Sequence, residues 1–351
     1  MLAVAGSKNY VVKHYDVQTA YLNADLSHDV FMKQPKGYQI NEDETLVYKL
    51  KKNLYGLKQG ASEWNKKLDE VLHAKGYIKS ENDPCLYKKL QDGEWLYISI
   101  YVDDLIAASS SNALIGQFQE DLNECFVLKD LGDLHYYLGL QFERDQNGTF
   151  FVHQKTYIEK KLKEFRLQDS RPSYIPVDPG YQKRQDISEQ FDNEDVYRKA
   201  IGSLQYLANN SRPDIAVGVS ILARRVSNPS QTDWTEVKRI FRYLNHTKDK
   251  KLRLGGVYDH EERQLIGYAD ADWGGDSEDR KSNTGYVFKF KGAPIMWSSH
   301  KQSMVTLSST EAEYIALSEA AQEAVWIQRL LNELIKTLAV YQYLRRKPKL
   351  Y

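Results

Sequence analysis

Two adjacent acidic residues, Asp103 and Asp104, interrupt the otherwise apolar segment IYVDDLIAAS. The apolar runs on both sides predict a strand, a tight acidic turn and a second strand. Neighbouring carboxylates repel each other and are costly to desolvate without a partner, so a bound divalent cation would be a natural compensation. Asp also suits solvated turns, and the dipeptide alone leaves a plain hairpin turn as an open alternative.

A third carboxylate, Asp16, ends the strand-like run VVKHYD and is followed by VQTAYLNADL, which can begin a helix. If this strand end lies beside the hairpin, three carboxylates converge. Such a cluster can hold two Mg²⁺ ions for in-line nucleotidyl transfer. Taken by itself, Asp16 is equally compatible with a helix cap.

A second group of acidic residues lies much later in the chain. Asp270 ends a strand pattern in GYADADWGG, Asp272 follows two residues later, and Glu313 falls in the first turn of a long predicted helix. These carboxylates could form another catalytic group. They could equally be loop residues and a glutamate that favours the positive end of a helix.

The composition excludes some classes of protein. Lys and Arg (48) balance Asp and Glu (48), which argues against a small, purely electrostatic nucleic-acid binder. The basic run at residues 236–253 therefore predicts either a local nucleic-acid contact or a solvated helix and turn. Cys85 and Cys125 form neither a disulfide framework nor a zinc motif, which favours a reducing intracellular compartment. No stretch reaches the roughly 18 apolar residues of a membrane span.

The pattern of elements changes along the chain. Strand and helix patterns alternate from Tyr10 to about Glu143, which predicts an α+β domain. Residues 168–193 contain three prolines and no apolar period, which is typical of a linker. Three helices are then predicted at Tyr197–Asn209, Asp214–Val226 and Thr232–Asn245, separated by prolines.

Strand patterns return from Gln264, and a long helix is predicted from Ser308. Two overlapping capping boxes, Ser308 to Glu311 and Thr310 to Glu313, indicate its start. The residues predicted to form its apolar face are Leu317, Ala320, Ala324, Ile327, Leu331 and Leu334.

Seven motifs occur in the order found in copia/Ty-type (Pseudoviridae-like) LTR retrotransposon Pol polyproteins, and the chain resembles their reverse transcriptase followed by a partial ribonuclease H region. The motifs are DVQTAYLNADL, LYGLKQ, YVDDLIAAS, KDLGDLHYYLG, IGSLQYLANNSRPDIAVGVSILAR, GYADADW and SSTEAEYIALSEAAQEAVW. The resemblance implies a reverse-transcriptase palm at 1–167 without its fingers, a linker at 168–193, a helical thumb- or connection-like region at 194–255, and an incomplete ribonuclease H-like α/β domain at 256–351.

The resemblance also implies roles for individual residues. Asp16, Asp103 and Asp104 match the catalytic polymerase metal ligands, with Mg²⁺ as the cofactor and Mn²⁺ as a substitute. Tyr21 matches the aromatic residue under the incoming sugar, where a ring leaves no room for a 2′-hydroxyl. Gln59 matches a glutamine near the nascent base pair and template.

In the region 256–351, the resemblance implies that Asp270 and Glu313 are the remaining ribonuclease H carboxylates and that Asp272 assists them. The family continues with another strand that carries a catalytic aspartate, whereas this chain reads IKTLAVYQYLRRKPKLY. We therefore expect ribonuclease H activity to be lost. The chain also departs after Gln59, where it reads Gly-Ala-Ser in place of the family's Ala-Pro-Arg.

These implications give two hypotheses. The first is an RNA-directed DNA polymerase fragment that uses an RNA template, a DNA primer and deoxynucleoside triphosphates, with other Pol segments as further partners and no membrane. The second is an inactive retroelement remnant that at most binds nucleic acid or a partner protein. Either would be intracellular, in the cytoplasm or the nucleus.

Overall fold

The computed structural model describes residues 1–40, 45–181, 188–255, 265–335 and 343–346. It divides into two compact units, of which the first comprises Tyr10–Leu134 and the second combines Leu2–Asn9 with the chain from His135 onward. Helices and strands occur in both units, which confirms the predicted mixed α+β class. None of the described helices combines the length and the apolar composition that crossing a membrane requires.

The helices of the described residues are α1 (Leu2–Ser7), α2 (Gly60–Ala74), α3 (Asn112–Asn123), α4 (Lys155–Glu164), α5 (Glu194–Asn210), α6 (Ala216–Ala223), α7 (Gln231–His246) and α8 (Ser309–Leu334). The strands are β1 (Val11–Val17), β2 (Phe31–Lys33), β3 (Val47–Lys49), β4 (Ile78–Lys79), β5 (Leu86–Gln91), β6 (Glu94–Tyr101), β7 (Asp104–Ser109), β8 (Leu128–Asp133), β9 (Tyr136–Tyr137), β10 (Leu140–Arg144), β11 (Phe150–His153), β12 (Leu252–Leu254), β13 (Leu265–Ala271), β14 (Asn283–Phe290), β15 (Ala293–Lys301) and β16 (Tyr343–Arg346).

The first unit is built on a six-stranded sheet in the order β4-β5-β6-β7-β1-β8. Helices α2 and α3 supply buried side chains to the same core as this sheet. In α2 the buried residues Trp64, Leu68 and Leu72 recur every four positions, which places them on one stripe of the helix. The sheet therefore has one face committed to the helices.

The alternation of side chains along β1 determines which residues point into the core and which point to the opposite face of the sheet. Tyr15 and Val17 are buried in the core shared with α2 and α3. Because successive side chains of a strand point to opposite faces, His14 and Asp16 lie on the other face of the sheet. The same argument applies to β7, where Leu105 and Ala107 join the core.

The second unit begins with a sheet in the order β12-β11-β10-β9 and a helical cluster formed by α4, α5, α6 and α7. The three helices predicted after residue 193 are confirmed as α5, α6 and α7, with a short 3₁₀ turn before α6. The basic run at 236–253 lies on α7 and the segment that joins it to β12.

The last part of the second unit is a sheet in the order β15-β14-β13-β16, with β16 parallel to β13. Helix α8 packs against β13 and β14. The sequence did not predict β16, because four residues with no clear alternation carry little signal.

Two details of the predicted long helix are wrong. Ser308 is the N-cap and its hydroxyl accepts a hydrogen bond from the Glu311 backbone, so Thr310 is inside the helix and cannot cap it. Leu317 is exposed, while Ala316 is buried in its place, because the buried stripe runs one position earlier at the start of the helix. The other five predicted apolar positions are buried.

The described part of the predicted linker contains no helix or strand of its own beyond an isolated bridge between Gln190 and Ser230. The first compact unit ends at Leu134, and the strands that follow belong to the second unit, where β10 pairs with β11 and β11 pairs with β12. The predicted division into functional domains stays a prediction.

Candidate functional site

The acidic dipeptide lies at a two-residue turn between β6 and β7, as predicted. Tyr101 pairs with Asp104 across the turn, which leaves Val102 and Asp103 as its central residues. Val102 has a φ of 57°, which is strained for a β-branched residue. The surrounding structure must therefore hold this turn in place.

Two hydrogen bonds fix the turn from the core side. The indole of Trp64 on α2 donates to the Val102 carbonyl at 2.7 Å, and the Val17 backbone N–H donates to the Asp103 carbonyl at 2.8 Å. The first bond joins the turn to the buried helix face and the second joins it to β1. The acidic turn is thus a rigid part of the first unit.

Asp16 and Asp104 are direct partners in the antiparallel pairing of β1 and β7. Both are half-buried, and both lie on the sheet face that points away from α2 and α3. Direct partners across antiparallel strands bring their Cβ atoms to about 5 Å. The structure therefore brings Asp16 together with the Asp103–Asp104 turn, as the sequence predicted.

The electrostatics of Asp16 reflect this convergence. Burial raises the pKa of Asp16 above its ordinary value, and the Asp103 and Asp104 carboxylates raise it further. Lys129 and His14 act in the opposite direction but do not outweigh them. Negative charge is therefore concentrated here without full compensation by the protein.

His14 is a member of the site that the sequence analysis missed. Its Nε2 lies 3.1 Å from Oδ1 of Asp104, and its side chain is buried. The register of β1 against β8 shifts between His14 and Tyr15. The available signal was its position two residues before Asp16, which puts both residues on one face of a strand.

Whether these residues suit a divalent metal can be judged from their chemistry. Within the described ranges, no three His, Cys, Asp or Glu side chains are already arranged to hold a metal ion. Half-buried carboxylates gathered at one place are nevertheless the hard, anionic donors that Mg²⁺ prefers. Asp16, Asp103 and Asp104 fit such an ion in donor type and in charge.

Tyr21 lies beside this cluster in a short 3₁₀ turn, Ala20–Asn23, and not in the α-helix start that the sequence suggested. Thr19 before it has a φ of 51°, which turns the chain sharply after β1. The Tyr21 ring packs partly on the core of the first unit and lies 4.5 Å, centroid to centroid, from the ring of Tyr55.

Tyr55 is the second residue that the sequence analysis missed. Its ring is 55% exposed, so it offers an open aromatic surface beside the carboxylates. Burial raises the pKa of its hydroxyl, and Asp103 raises it further. The signal in the sequence was its place in the LYGLKQ motif, four residues before Gln59.

Gln59 has a different position from the residues above. It occupies the N-cap position of α2, and its side chain does not cap the helix. Gly60 after it is needed for packing, because an added Cβ would lie 3.1 Å from the buried Asn53 side chain. A role for Gln59 at the template stays a prediction.

The later acidic group is arranged differently. Asp270 lies exposed near the end of β13, and Glu313 lies on α8, which packs against that strand. The Asp272 carboxylate accepts two hydrogen bonds from Asn283, one from its side-chain amide at 2.9 Å and one from its backbone N–H. Asp272 therefore acts as a structural link between β13 and β14.

Comparisons with known proteins show which family the chain belongs to. A family model described as reverse transcriptase (RNA-dependent DNA polymerase) matches residues 1–179. The Retrovirus-related Pol polyprotein from transposon TNT 1-94 of Nicotiana tabacum is 37% identical over 343 residues, which are 95% of this chain and 26% of that protein. The Pol polyprotein from transposon RE1 of Arabidopsis thaliana is 34% identical over 95% of this chain and 22% of its own length.

A shorter relative matches along nearly its whole length. The putative transposon Ty5-1 protein YCL074W of Saccharomyces cerevisiae is 31% identical over 311 residues, which are 88% of this chain and 99% of that protein. In contrast, the chain spans about a quarter of the length of the plant Pol polyproteins. The chain belongs to the reverse transcriptase family of copia/Ty-type LTR retrotransposon Pol polyproteins.

Proposed function

We propose that this chain is an RNA-directed DNA polymerase fragment of a copia-type retrotransposon that extends a DNA primer by two-metal nucleotidyl transfer. One observation carries the proposal: Asp16 pairs directly with Asp104 beside the rigid Asp103 turn, where burial and then these two carboxylates raise the pKa of Asp16. A site that gathers uncompensated negative charge on a fixed hairpin suits Mg²⁺ or Mn²⁺.

In this proposal, Asp16, Asp103 and Asp104 are the metal ligands. Bound there, Mg²⁺ would polarise the primer 3′-hydroxyl and neutralise the charge that develops on the pyrophosphate. The strained Val102 turn holds Asp103 in place, and the buried His14 holds one oxygen of Asp104 at 3.1 Å. The protein thus orients its carboxylates before any substrate binds.

We propose that Tyr21 and Tyr55 form one wall of the nucleotide-binding site. The Tyr21 ring is supported from behind by the core and laterally by Tyr55, so it can resist displacement by a bulkier sugar. A fixed ring at this place excludes a 2′-hydroxyl by steric overlap, which selects deoxynucleotides. Gln59 is proposed to contact the template strand near the new base pair.

The proposal extends to the domain level. We assign a polymerase palm to the first unit, a helical connection to α5, α6 and α7, and a ribonuclease H-like arrangement to β13–β16 with α8. The parallel pairing of β16 with β13 and the packing of α8 against the sheet support the last assignment. RNA template, DNA primer and deoxynucleoside triphosphates are the proposed partners, and other Pol segments could complete the assembly.

A primer-extension assay tests the proposal. The full chain is incubated with an RNA template, a DNA primer, deoxynucleotides and Mg²⁺ or Mn²⁺. We expect extension that falls by at least about a hundredfold in Asp103→Asn, which keeps the shape of the side chain but removes a charge. Equal extension by both proteins would refute the site assignment.

The inactive remnant is favoured by one observation, namely that the carboxylates are not already arranged as a three-ligand group among the described residues. The same assay decides between the two candidates. Absence of extension by the wild-type chain, together with retained binding of the template–primer, would support the remnant.

A further inference from the structure

A cleft in the second unit carries three basic side chains and no acidic one on its walls. It has a volume of about 280 Å³ and lies between α7 and the segment that follows α4. The residues that line it are Leu167, Ser170, Arg171, Thr235, Lys238 and Arg242. None of them belongs to the carboxylate sites described above.

Helix α7 contributes a single stripe to this cleft. Thr235, Lys238 and Arg242 are spaced by three and four residues, so they lie on one face of the helix. Lys238 lies over the ring of Trp234 at 5.9 Å, which limits the positions its ammonium group can take. The stripe therefore presents a hydroxyl and two cations in a row.

The opposite wall is held in place by hydrogen bonds to backbone carbonyl groups. The Asn245 side-chain amide donates to the Gln168 carbonyl at 2.9 Å, and the Ser170 hydroxyl donates to the Leu167 carbonyl at 2.6 Å. The Ser173 backbone N–H approaches the Arg242 carbonyl at 3.5 Å. Both walls are thus anchored to each other at the two ends of the segment.

Arg242 has one donor that the surrounding protein does not satisfy. Its Nε is buried and has no hydrogen-bond partner among the residues that the structure describes, whereas Arg239 on the same helix pairs with Glu236 at 3.0 Å. A buried donor without an acceptor is unfavourable. A ligand with several anionic oxygens would satisfy this donor and the neighbouring cations together.

We propose that this cleft binds a phosphate group of a nucleic-acid backbone. Two guanidinium groups and an ammonium group around hydroxyl donors match the charge and the acceptor geometry of a phosphodiester. The inference rests on the proposed function for the identity of the nucleic acid, but it concerns a contact outside the polymerase carboxylates. It is tested by binding alone, so loss of polymerase activity leaves it untouched.

Binding of a labelled RNA–DNA hybrid to the full chain, measured by fluorescence anisotropy at several salt concentrations, tests the proposal. Arg242→Gln should weaken binding about tenfold and reduce the salt slope by about one, and Lys238→Gln should act in the same direction. The matched control is Lys250→Gln, which removes one charge from the same basic run outside the cleft and should change affinity less than about twofold.

Equal losses in Lys250→Gln and in the cleft variants would overturn the proposal, because they would reflect the overall charge of the run. Circular dichroism melting verifies that each variant is folded. If Arg242→Gln fails to fold, Lys238→Gln keeps the test decisive, because it removes a charge of the cleft and leaves the buried Nε of Arg242 in place.

A second arm separates the two sources of phosphate. Inorganic phosphate is titrated against the wild-type chain and against Arg242→Gln while the melting temperature is followed. Stabilisation of the wild type alone, with hybrid affinity unchanged in the variant, would assign the cleft to free phosphate and overturn the nucleic-acid source. Loss of hybrid affinity in the variant supports it.

Discussion

Asp16 in the first unit and Asp276 in the second unit both lie among other charged groups, and their pKa values shift in opposite directions. Burial and the carboxylates of Asp103 and Asp104 raise the pKa of Asp16. Burial would also raise the pKa of Asp276, but hydrogen bonds from Lys301 and from the Glu278 backbone lower it well below its ordinary range. The surroundings thus disfavour the ionised form of Asp16 and favour the ionised form of Asp276.

The difference lies in what surrounds each carboxylate. Asp276 accepts hydrogen bonds from Arg224, the C-cap residue of α6, at 3.1 Å and from Lys301 on β15 at 2.9 Å, so the protein itself supplies its counter-charges. Asp16 faces two other acids, of which Asp104 pairs with His14, while no ion pair of Asp103 is found within the described residues. The first cluster is suited to an external cation, while the second links elements of the fold.

The largest effect that this comparison predicts is on activity. Asp16→Asn should reduce primer extension by at least about a hundredfold, because it removes a proposed metal ligand. It should not lower the melting temperature, because it also removes repulsion between neighbouring carboxylates. Primer extension and thermal melting of the same preparation measure both effects.

The matched control is Asp133→Asn, which lies on the same sheet and removes an exposed ion pair with Lys13. Exposed pairs contribute little to stability, so this variant should retain both activity and melting temperature. A marked drop in melting temperature in Asp16→Asn would mean that Asp16 is structural, and the comparison would fail.

The second prediction concerns the stability of the second unit. Asp276→Asn should lower the free energy of unfolding by about 2 kcal/mol, because Arg224 and Lys301 lose their shared acceptor while they remain partly buried. Denaturant unfolding monitored by circular dichroism measures this change. Asp279→Asn, which removes a more exposed partner of Lys301, should have a smaller effect.

The third prediction is the pH dependence of that stabilisation. The folded-state pKa of Asp276 lies below its ordinary value of 3.8, so ionised Asp276 stabilises the fold above about pH 4 and this contribution is lost as the pH falls further. Unfolding midpoints measured from neutral to acidic pH should decline more steeply in the wild type than in Asp276→Asn. Parallel curves would show that Asp276 does not contribute.

A smaller effect is expected at the nucleotide side of the first cluster. Tyr21→Ala should relax sugar selection by about tenfold or more, since the ring no longer opposes a 2′-hydroxyl. Tyr21→Phe keeps the ring and should preserve selection. The ratio of ribonucleotide to deoxynucleotide incorporation measures this, and an unchanged ratio in Tyr21→Ala would make the tyrosine a packing residue.

Elements with strong local patterns could be predicted from the sequence. The β6–β7 hairpin follows from two apolar runs around Asp103 and Asp104, and the helices α5 to α7 follow from apolar spacing and from Pro213 and Pro229. These signals are local, because a helix or hairpin depends on residues close together in the chain. Leu317 was assigned wrongly because the buried stripe at the start of α8 is formed by alanines at four-residue spacing, Ala312, Ala316 and Ala320, and a neighbouring leucine gives a stronger apolar signal than alanine.

Contacts between distant residues could not be predicted in the same way. His14 reaches Asp104 only because β1 pairs with β7, and Tyr55 meets Tyr21 across more than thirty residues of chain. Asp276 was not predicted as a site residue, since its partners come from the C-cap of α6 and from β15. The identities of the first-cluster acids were visible in the sequence, whereas their neighbours depend on tertiary pairing.

The smallest predicted effect concerns the carboxylates of the second unit. We expect that they do not support cleavage of the RNA in an RNA–DNA hybrid. Asp272 is already bonded to Asn283, and Glu319 on α8 accepts from His300 at 3.0 Å. Glu333 lies twenty residues beyond Glu313 on the same helix, or about 30 Å away at 1.5 Å per residue. These acids cannot join Asp270 and Glu313 at one phosphate.

Strand β16, which pairs with β13, supplies no carboxylate that could replace them. The parallel register places Arg346 opposite Ala269, and no aspartate occurs between Arg280 and Tyr351. Two-metal hydrolysis needs several carboxylates around the scissile phosphate, because each ion must be neutralised and held about 4 Å from the other. We therefore expect the chain to leave the RNA of an RNA–DNA hybrid intact in the presence of Mg²⁺ or Mn²⁺, and Glu313→Gln to behave like the wild type. Cleavage by the wild type that Glu313→Gln abolishes would show that another carboxylate completes the site, and the contrast between the two acidic clusters would then no longer hold.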